Sequence, residues 1–316
     1  MLRSLLLFLS NAQWARRLIS YFGFARRTAY RFVAGETAAE AMAAVQRLNA
    51  RGINATLDHL GESVTDAAAS ERAAAEYVAV LGRIQDCGAR SNVSLKLTQM
   101  GLDLSRELCL RNVRRIVERA RALNNFVRID MEGTPHTEAT LAVFNTLHRE
   151  YDQVGIVLQS YLYRTEHDLE AVLAEKARVR LCKGAYQEPP DKAYPRKADV
   201  DANFVKLAQR LLDNARLCPP ANAAGRVPPL PAIATHDEKM IEAVKAYAAE
   251  KGVPREYFEF QMLYGIRRDL QEKLASEGYA VRVYVPYGTE WYPYFMRRLA
   301  ERPANVWFFL SNLVRR

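Results

Sequence analysis

Near its C-terminus the chain reads WYPYFMRRLAERPANVW, Trp291 to Trp307. On a helix, Tyr294, Arg297, Arg298 and Glu301 fall at i, i+3, i+4 and i+7, so an aromatic ring, two guanidiniums and a carboxylate share one stripe. A guanidinium presents a planar fork of donors that matches both oxygens of a carboxylate, so the stripe is suited to holding one. A solvated helix face reads the same way. Three extended runs carry further charge. NVSLKLT alternates Val93, Leu95 and Leu97 with Ser94, Lys96 and Thr98, and FVRIDMEG alternates Val127, Ile129 and Met131 with Arg128, Asp130 and Glu132. AVRVYVPYG sets Val281, Val283 and Val285 against Arg282 and Tyr284. By the same alternation Gln159 and Arg180 belong to the polar side of two further, nearly all-apolar runs.

Eight such runs recur between residues 54 and 288: NATLDHL, NVSLKLT, FVRIDMEG, GIVLQSY, VRLCKGAY, AIATHD, FEFQMLYG and AVRVYVPYG. Between them lie segments of helical period such as SERAAAEYVAVLGRIQ and DEKMIEAVKAYAAEKG, where Gly252 offers a stop. PPANAAGRVPPLP, Pro219 to Pro231, reads as a loop entering the sixth run. This order predicts an α/β fold, a (β/α)8 barrel of the TIM type, over residues 51–316, preceded by an N-terminal helical arm over residues 1–50. In such a barrel the face that packs on the helices is apolar, so the charged set points inward. Buried charges cost several kcal/mol unless they are paired or meet a ligand. The set is therefore either an ion-pair network spanning the barrel or a site, and its clustering toward strand C-terminal ends, where barrel enzymes place their sites, favours the site.

Composition agrees with one large soluble domain: 316 residues, 49% hydrophobic and 26% charged. Lys plus Arg exceed Asp plus Glu by 45 to 36, a net +9 that favours anionic partners. The arginines are dispersed through helical segments and not gathered along one groove, which argues against nucleic acid. Cys87, Cys109, Cys182 and Cys218 show none of the spacings of a zinc site, so no metal is expected and they read as reduced thiols of a cytoplasmic protein. The apolar run from Leu5 to Leu9 is too short to span a bilayer, and no small-residue cleavage site follows it. Residues 1–32 hold six arginines and no acid, interleaved with Trp14, Tyr21, Phe22, Phe24 and Tyr30. That composition fits either peripheral contact with the inner face of an anionic membrane or a helical arm packed on the domain.

Seven stretches in order resemble the monofunctional bacterial proline dehydrogenases. They are SLKL (Ser94 to Leu97), RIDMEG (Arg128 to Gly133), LQSYLYRTEHDL (Leu158 to Leu169), RLCKGAY (Arg180 to Tyr186), ATHD (Ala234 to Asp237), FEFQMLYG (Phe258 to Gly265) and YVPYGTEWYPYFMRRLAER (Tyr284 to Arg302). RLCKGAY departs from the family at Cys182, where other members often carry Val; no assigned role rests on that residue. The resemblance implies an FAD-dependent barrel whose final helix crosses its mouth. It implies oxidation of L-proline to 1-pyrroline-5-carboxylate by hydride transfer from C5 to N5 of FAD, the first step of proline catabolism, with a quinone as electron acceptor. By matched position, Lys96, Arg297 and Arg298 resemble a clamp on the substrate carboxylate, and Tyr284, Tyr294 and Leu263 a wall around the ring. Glu62 resembles the acid that pairs with a clamp arginine, while Glu301 shares the arginine stripe and would hold an arginine in position. Asp130 is implied beside the clamp, orienting its cations, and Arg180 near the N5 and O4 edge of the flavin, where charge develops. Met131, Gln159, Arg180, Lys183, Gly184, Ala185, Tyr186, Thr235 and His236 match the family's FAD contacts. No G-x-G-x-x-G turn is present, so a dinucleotide-binding fingerprint does not hold the cofactor.

Lys96 and Lys183 leave a second enzymatic reading open, a barrel lyase or aldolase that forms a Schiff base through a lysine. The sequence leaves the oligomeric state and the identity of the quinone undecided.

Overall fold

The eight extended runs are strands, and they lie side by side in chain order. The computed structural model describes residues 29–301. In it β1 (Asn54–His59), β2 (Ser91–Leu95), β3 (Val127–Ile129), β4 (Val154–Gln159), β5 (Val179–Cys182), β6 (Pro231–Ala234), β7 (Glu259–Leu263) and β8 (Ala280–Tyr287) form a closed barrel. Every pairing is parallel, and β8 closes on β1 with Asn54 beside Arg282 and Thr56 beside Tyr284. The expected (β/α)8 architecture is the one the chain adopts.

Helices follow the first seven strands: α2 (Ala67–Asp86), α3 (Arg106–Ala122), α4 (Thr134–His148), α5 (Thr165–Ala174), α6 (Lys197–Asp213), α7 (Glu238–Glu250) and α8 (Arg268–Ser276). Three of the seven start at side chains that cap free amides: Asp66 accepts from the Ala69 amide, Ser105 from Leu108 and Asp237 from Lys239. Helix α3 shows the period that seats them. Leu108, Cys109, Val113, Ile116, Val117 and Ala120 are buried, while Arg111, Arg115 and Arg119 face water.

The helix beside the β8–β1 seam comes from the other end of the chain. Helix α1 (Ala38–Asn49), capped by a reciprocal Thr37 and Glu40 box, lies against β1 and β8 and buries Ala41, Met42, Ala44 and Val45 in the main core. With that slot filled, the last helix, α9 (Trp291–Glu301), packs elsewhere. Its Trp291, Tyr292, Phe295, Met296 and Leu299 form a separate apolar cluster with Ala29, Phe32, Val33, Leu60 and Ile266. Residues 1–28, with their aromatic and basic groups, lie outside the described residues.

Inside the barrel, the N-terminal halves of the strands hold charge where aliphatic side chains usually fill the space. Arg282 is fully buried and donates from Nε and Nη2 to the two oxygens of Glu259, at 2.8 and 3.1 Å. Arg128 is buried beside it and donates to the carbonyls of Ile156 and Arg178. Gly155 on β4 makes room for that guanidinium. A Cβ at Gly155 would stand 2.5 Å from the Arg178 carbonyl oxygen and 2.6 Å from Arg128 Nη1. Neither can withdraw without breaking a buried hydrogen bond, so Gly155→Ala is expected to cost about 1–3 kcal/mol of stability as an overpacking change. Thermal unfolding checks it; an unchanged midpoint would mean that Arg128 is not held there.

Candidate active site

Above this floor, five strands contribute to one hydrogen-bonded tier. Asp130, just past the end of β3, accepts from Arg180 Nη1 at 2.6 Å and the Ser94 hydroxyl at 2.7 Å through one oxygen, and from the Tyr284 hydroxyl at 2.8 Å through the other. Arg180 on β5 also donates from Nε to Gln261 Oε1 of β7 at 2.6 Å, and its guanidinium carbon lies 5.3 Å from the Tyr284 ring centre. With Nε and Nη1 engaged, Nη2 is left for the space above.

That space is a cavity of about 900 Å³. Lys96, carried just past the end of β2, lines it and pairs with Asp58 of β1 at 3.4 Å. Burial pulls the Lys96 ammonium down, but Asp58, Asp130, Glu62 and Tyr186 outweigh it and hold the pKa above the ordinary lysine value. Helix α9 supplies Tyr294, Arg297 and Arg298 to the same wall, so it crosses the mouth as expected. Arg297 donates to Glu62 at 2.5 Å, and Arg298 is buried 5.1 Å from the Tyr294 ring centre.

Burial pushes the Glu62 carboxyl up, yet Arg297 and Lys96 together hold it below its ordinary value of 4.5. A carboxylate lowered on folding contributes stability that is fully present above its unfolded pKa and is lost as pH falls through the folded one. The destabilisation caused by Glu62→Gln is therefore expected to be largest at neutral pH and to shrink below about pH 4.5. Melting curves of both proteins from pH 3 to 7 check this; a constant difference would show that Glu62 and Arg297 are not coupled.

The other flank is built from the strand ends of β3 to β6. Met131, Gln159, Lys183, Gly184, Ala185, Tyr186, Thr235 and His236 all line the cavity, as does Leu263. Gly184 sits at φ +114°, where a Cβ would stand 2.3 Å from the Tyr161 ring, so only glycine suits this turn. The Leu263 amide donates to His236 Nε2 at 2.9 Å, which leaves the imidazole proton on Nδ1. Lys183 is held by Asp201 at 2.6 Å and Asp237 at 2.9 Å.

Gln159 spends its Nε2 on the Met131 carbonyl, while its Oε1 is buried with no hydrogen-bond partner among the described residues. Gln159 and Arg180 thus offer an acceptor and a donor on one wall, in a cavity within the usual size range of cofactor sites. The residues present fit FAD.

Three expectations from strand alternation need correction. Met131 was expected to face outward and Glu132 inward, but the ladder with β2 and β4 ends at Ile129, and beyond it nothing enforces the alternation. Met131 lines the cavity, whereas Glu132 turns away to accept from the Thr98 amide and hydroxyl. Thr98 is thereby removed from the interior as well. Asp130 pairs directly with Arg180, while of the clamp cations Lys96 pairs with Asp58 and Arg297 with Glu62. The side chain of Glu301 lies outside the described residues. Sequence reasoning missed Asp58, Glu259, Gln261, Asp201 and Asp237. The first three were within reach, since each sits at an inward position of a run in which every second residue is apolar.

Residues 41–310 match the profile of the family described as Proline dehydrogenase. The chain belongs to that family. It is 41% identical to Proline dehydrogenase 1 of Bacillus subtilis (strain 168) across the full length of both chains. It is also 41% identical to Proline dehydrogenase of Deinococcus radiodurans, covering 91% of this chain and 90% of the relative. Among solved structures, proline utilization A (PutA) from Bdellovibrio bacteriovorus, inactivated by N-propargylglycine, superposes with a TM-score of 0.79 at 26% identity. That match covers 88% of this chain but only 33% of the PutA chain, so this protein corresponds to about a third of it.

A Schiff-base lyase is not favoured by this family or by this site. Such a lysine must lose its proton to attack a carbonyl. Lys96 is held as the ammonium, and Lys183 is held between two carboxylates.

Proposed function

We propose that the chain is an FAD-dependent proline dehydrogenase that oxidises L-proline to 1-pyrroline-5-carboxylate, with a quinone as the final electron acceptor. The observation that carries this reading is the convergence of Lys96, Arg297 and Arg298 on the cavity wall, over the tier that holds Arg180. Lys96, Arg297 and Arg298 bring three cationic side chains to one wall of the cavity, and a carboxylate is the group that matches their donors. Fixing that end of a small ligand restricts where its ring can lie, so Tyr284, Tyr294 and Leu263 become the wall around it.

Bound FAD supplies the two-electron acceptor. Gln159, Arg180, Lys183, Gly184, Ala185, Tyr186, Thr235, His236 and Met131 would hold it. The substrate nitrogen gives one proton to solvent and C5 gives up a hydride, so that a C5=N double bond forms and the charges balance. Arg180, locked by Asp130 and Gln261, presents fixed positive charge to this end of the cavity, and such preorganised charge stabilises negative charge as it develops. Helix α9 and the Glu62–Arg297 pair cover the mouth and limit water.

The electrons then pass to a membrane quinone. Among the described residues no helix is long and apolar enough to cross a membrane. The arginines and aromatic residues of 1–32 support peripheral contact with an anionic surface from the cytoplasmic side. The absorbance spectrum of the purified protein tests the activity: oxidised flavin bands should bleach on adding L-proline without oxygen. A colourless protein that binds no flavin, or flavin bands that proline leaves unchanged, would overturn the reading.

A further inference from the structure

A carboxylate outside the cavity is linked through one amide to the guanidinium inside it. Glu259 lies on the barrel floor, fully buried, and is not among the residues that touch the cavity. Its Oε1 accepts from Gln261 Nε2 at 2.5 Å, and Gln261 Oε1 accepts from Arg180 Nε at 2.6 Å. An amide can face either way, but this one cannot. A carboxylate only accepts and a guanidinium only donates, so turning the amide over would set oxygen against oxygen and N–H against N–H. Glu259 is itself fixed by two bonds from Arg282.

The consequence falls on Arg180. Asp130 and Ser94 both engage Nη1, and a grip on one nitrogen leaves the guanidinium plane able to turn about that contact. The second grip, on Nε, removes the rotation and aims Nη2 at the cavity. We propose that Glu259 is a positioning residue for the oxidation, acting through the Gln261 amide to fix the guanidinium of Arg180 against the bound flavin. This rests on the activity proposed above.

The test uses the FAD-loaded protein and four measurements: the rate constant for flavin reduction by proline without oxygen, the midpoint potential of the bound flavin, the Kd of tetrahydro-2-furoate, and the melting temperature. Gln261→Met keeps the Glu259–Arg282 pair and cuts only the link. It is expected to slow flavin reduction on the order of 10-fold and to lower the flavin potential, with the Kd of the furoate within about twofold, because the carboxylate clamp is untouched. Glu259→Gln should move the rate and the potential in the same direction, and the double variant should be no worse than the stronger single one. Should Glu259→Gln fail to fold, Glu259→Gln/Arg282→Met removes both charges of the buried pair and takes its place. An unchanged rate and potential in Gln261→Met overturns the proposal, as does full additivity of the two substitutions, which would mean that Glu259 serves only Arg282. A wild-type protein that proline does not bleach overturns the activity instead, so the two failures are distinguishable.

Discussion

Replacing Arg180 by methionine is expected to slow flavin reduction by proline about 10²- to 10³-fold, the usual cost of removing one preorganised donor from a site where charge develops. The affinity for a carboxylate ligand should barely change. Lys96 pairs with Asp58 and Arg297 with Glu62, and Arg298 lies over the Tyr294 ring, so none of the three is held through Arg180. Asp130 loses one partner but keeps the Ser94 and Tyr284 hydroxyls, which limits collapse of the tier. Rapid-mixing reduction measured beside the Kd of tetrahydro-2-furoate separates the two effects. Equal losses in both would make Arg180 a structural residue of the barrel and remove it from the proposed chemistry.

The complementary result is expected from the last helix. Arg297→Met and Arg298→Met should each raise the KM for proline by about 10- to 150-fold, since each removes charge-assisted bonds worth about 1.5–3 kcal/mol. Both variants should retain flavin, because the flank assigned to the cofactor is carried by β3 to β6 and owes nothing to α9. The two arginines differ in what they leave behind. Arg297→Met orphans the partly buried Glu62, whereas Arg298→Met removes a buried cation lying over the Tyr294 ring. Flavin content by absorbance, measured with KM, decides the matter. A variant that loses its flavin would place α9 among the cofactor-binding elements and contradict the proposed clamp.

How far the sequence could be read depended on where ladder hydrogen bonds stop. Within the strands, alternation alone placed Arg180, Arg282 and Tyr284 inside the barrel, because a closed parallel sheet buried by helices admits only one assignment of faces. At β3 the pairing ends at Ile129, and two residues later the expected faces of Met131 and Glu132 are exchanged. Alternation also says nothing about depth. Glu259 and Gln261 share a face with Leu263, yet only the last two touch the cavity and Glu259 lies below it. Partners drawn from helices were further out of reach: Asp201 joins Lys183 from α6, and no period in either segment relates the two. The stripe on α9 was legible as a stripe. What it faced became visible only because α1 occupies the seam and leaves α9 to lie over the barrel.

That seam also bears on how the molecule is made. Most neighbours in this barrel are consecutive elements, which meet after short loops and cost little chain entropy to bring together. The junction of β8 with β1 is the exception: Arg282 Nη1 donates to the Ala55 carbonyl across 227 residues of sequence. Helix α1 spans the same junction, so neither end of the barrel can be finished until the other has been synthesised. Contacts of such separation dominate contact order and slow folding. Without β8 the sheet cannot close and β1 and β7 keep unpaired edges, and because α9 follows β8 in the chain, the cover over the mouth is made only after the last strand.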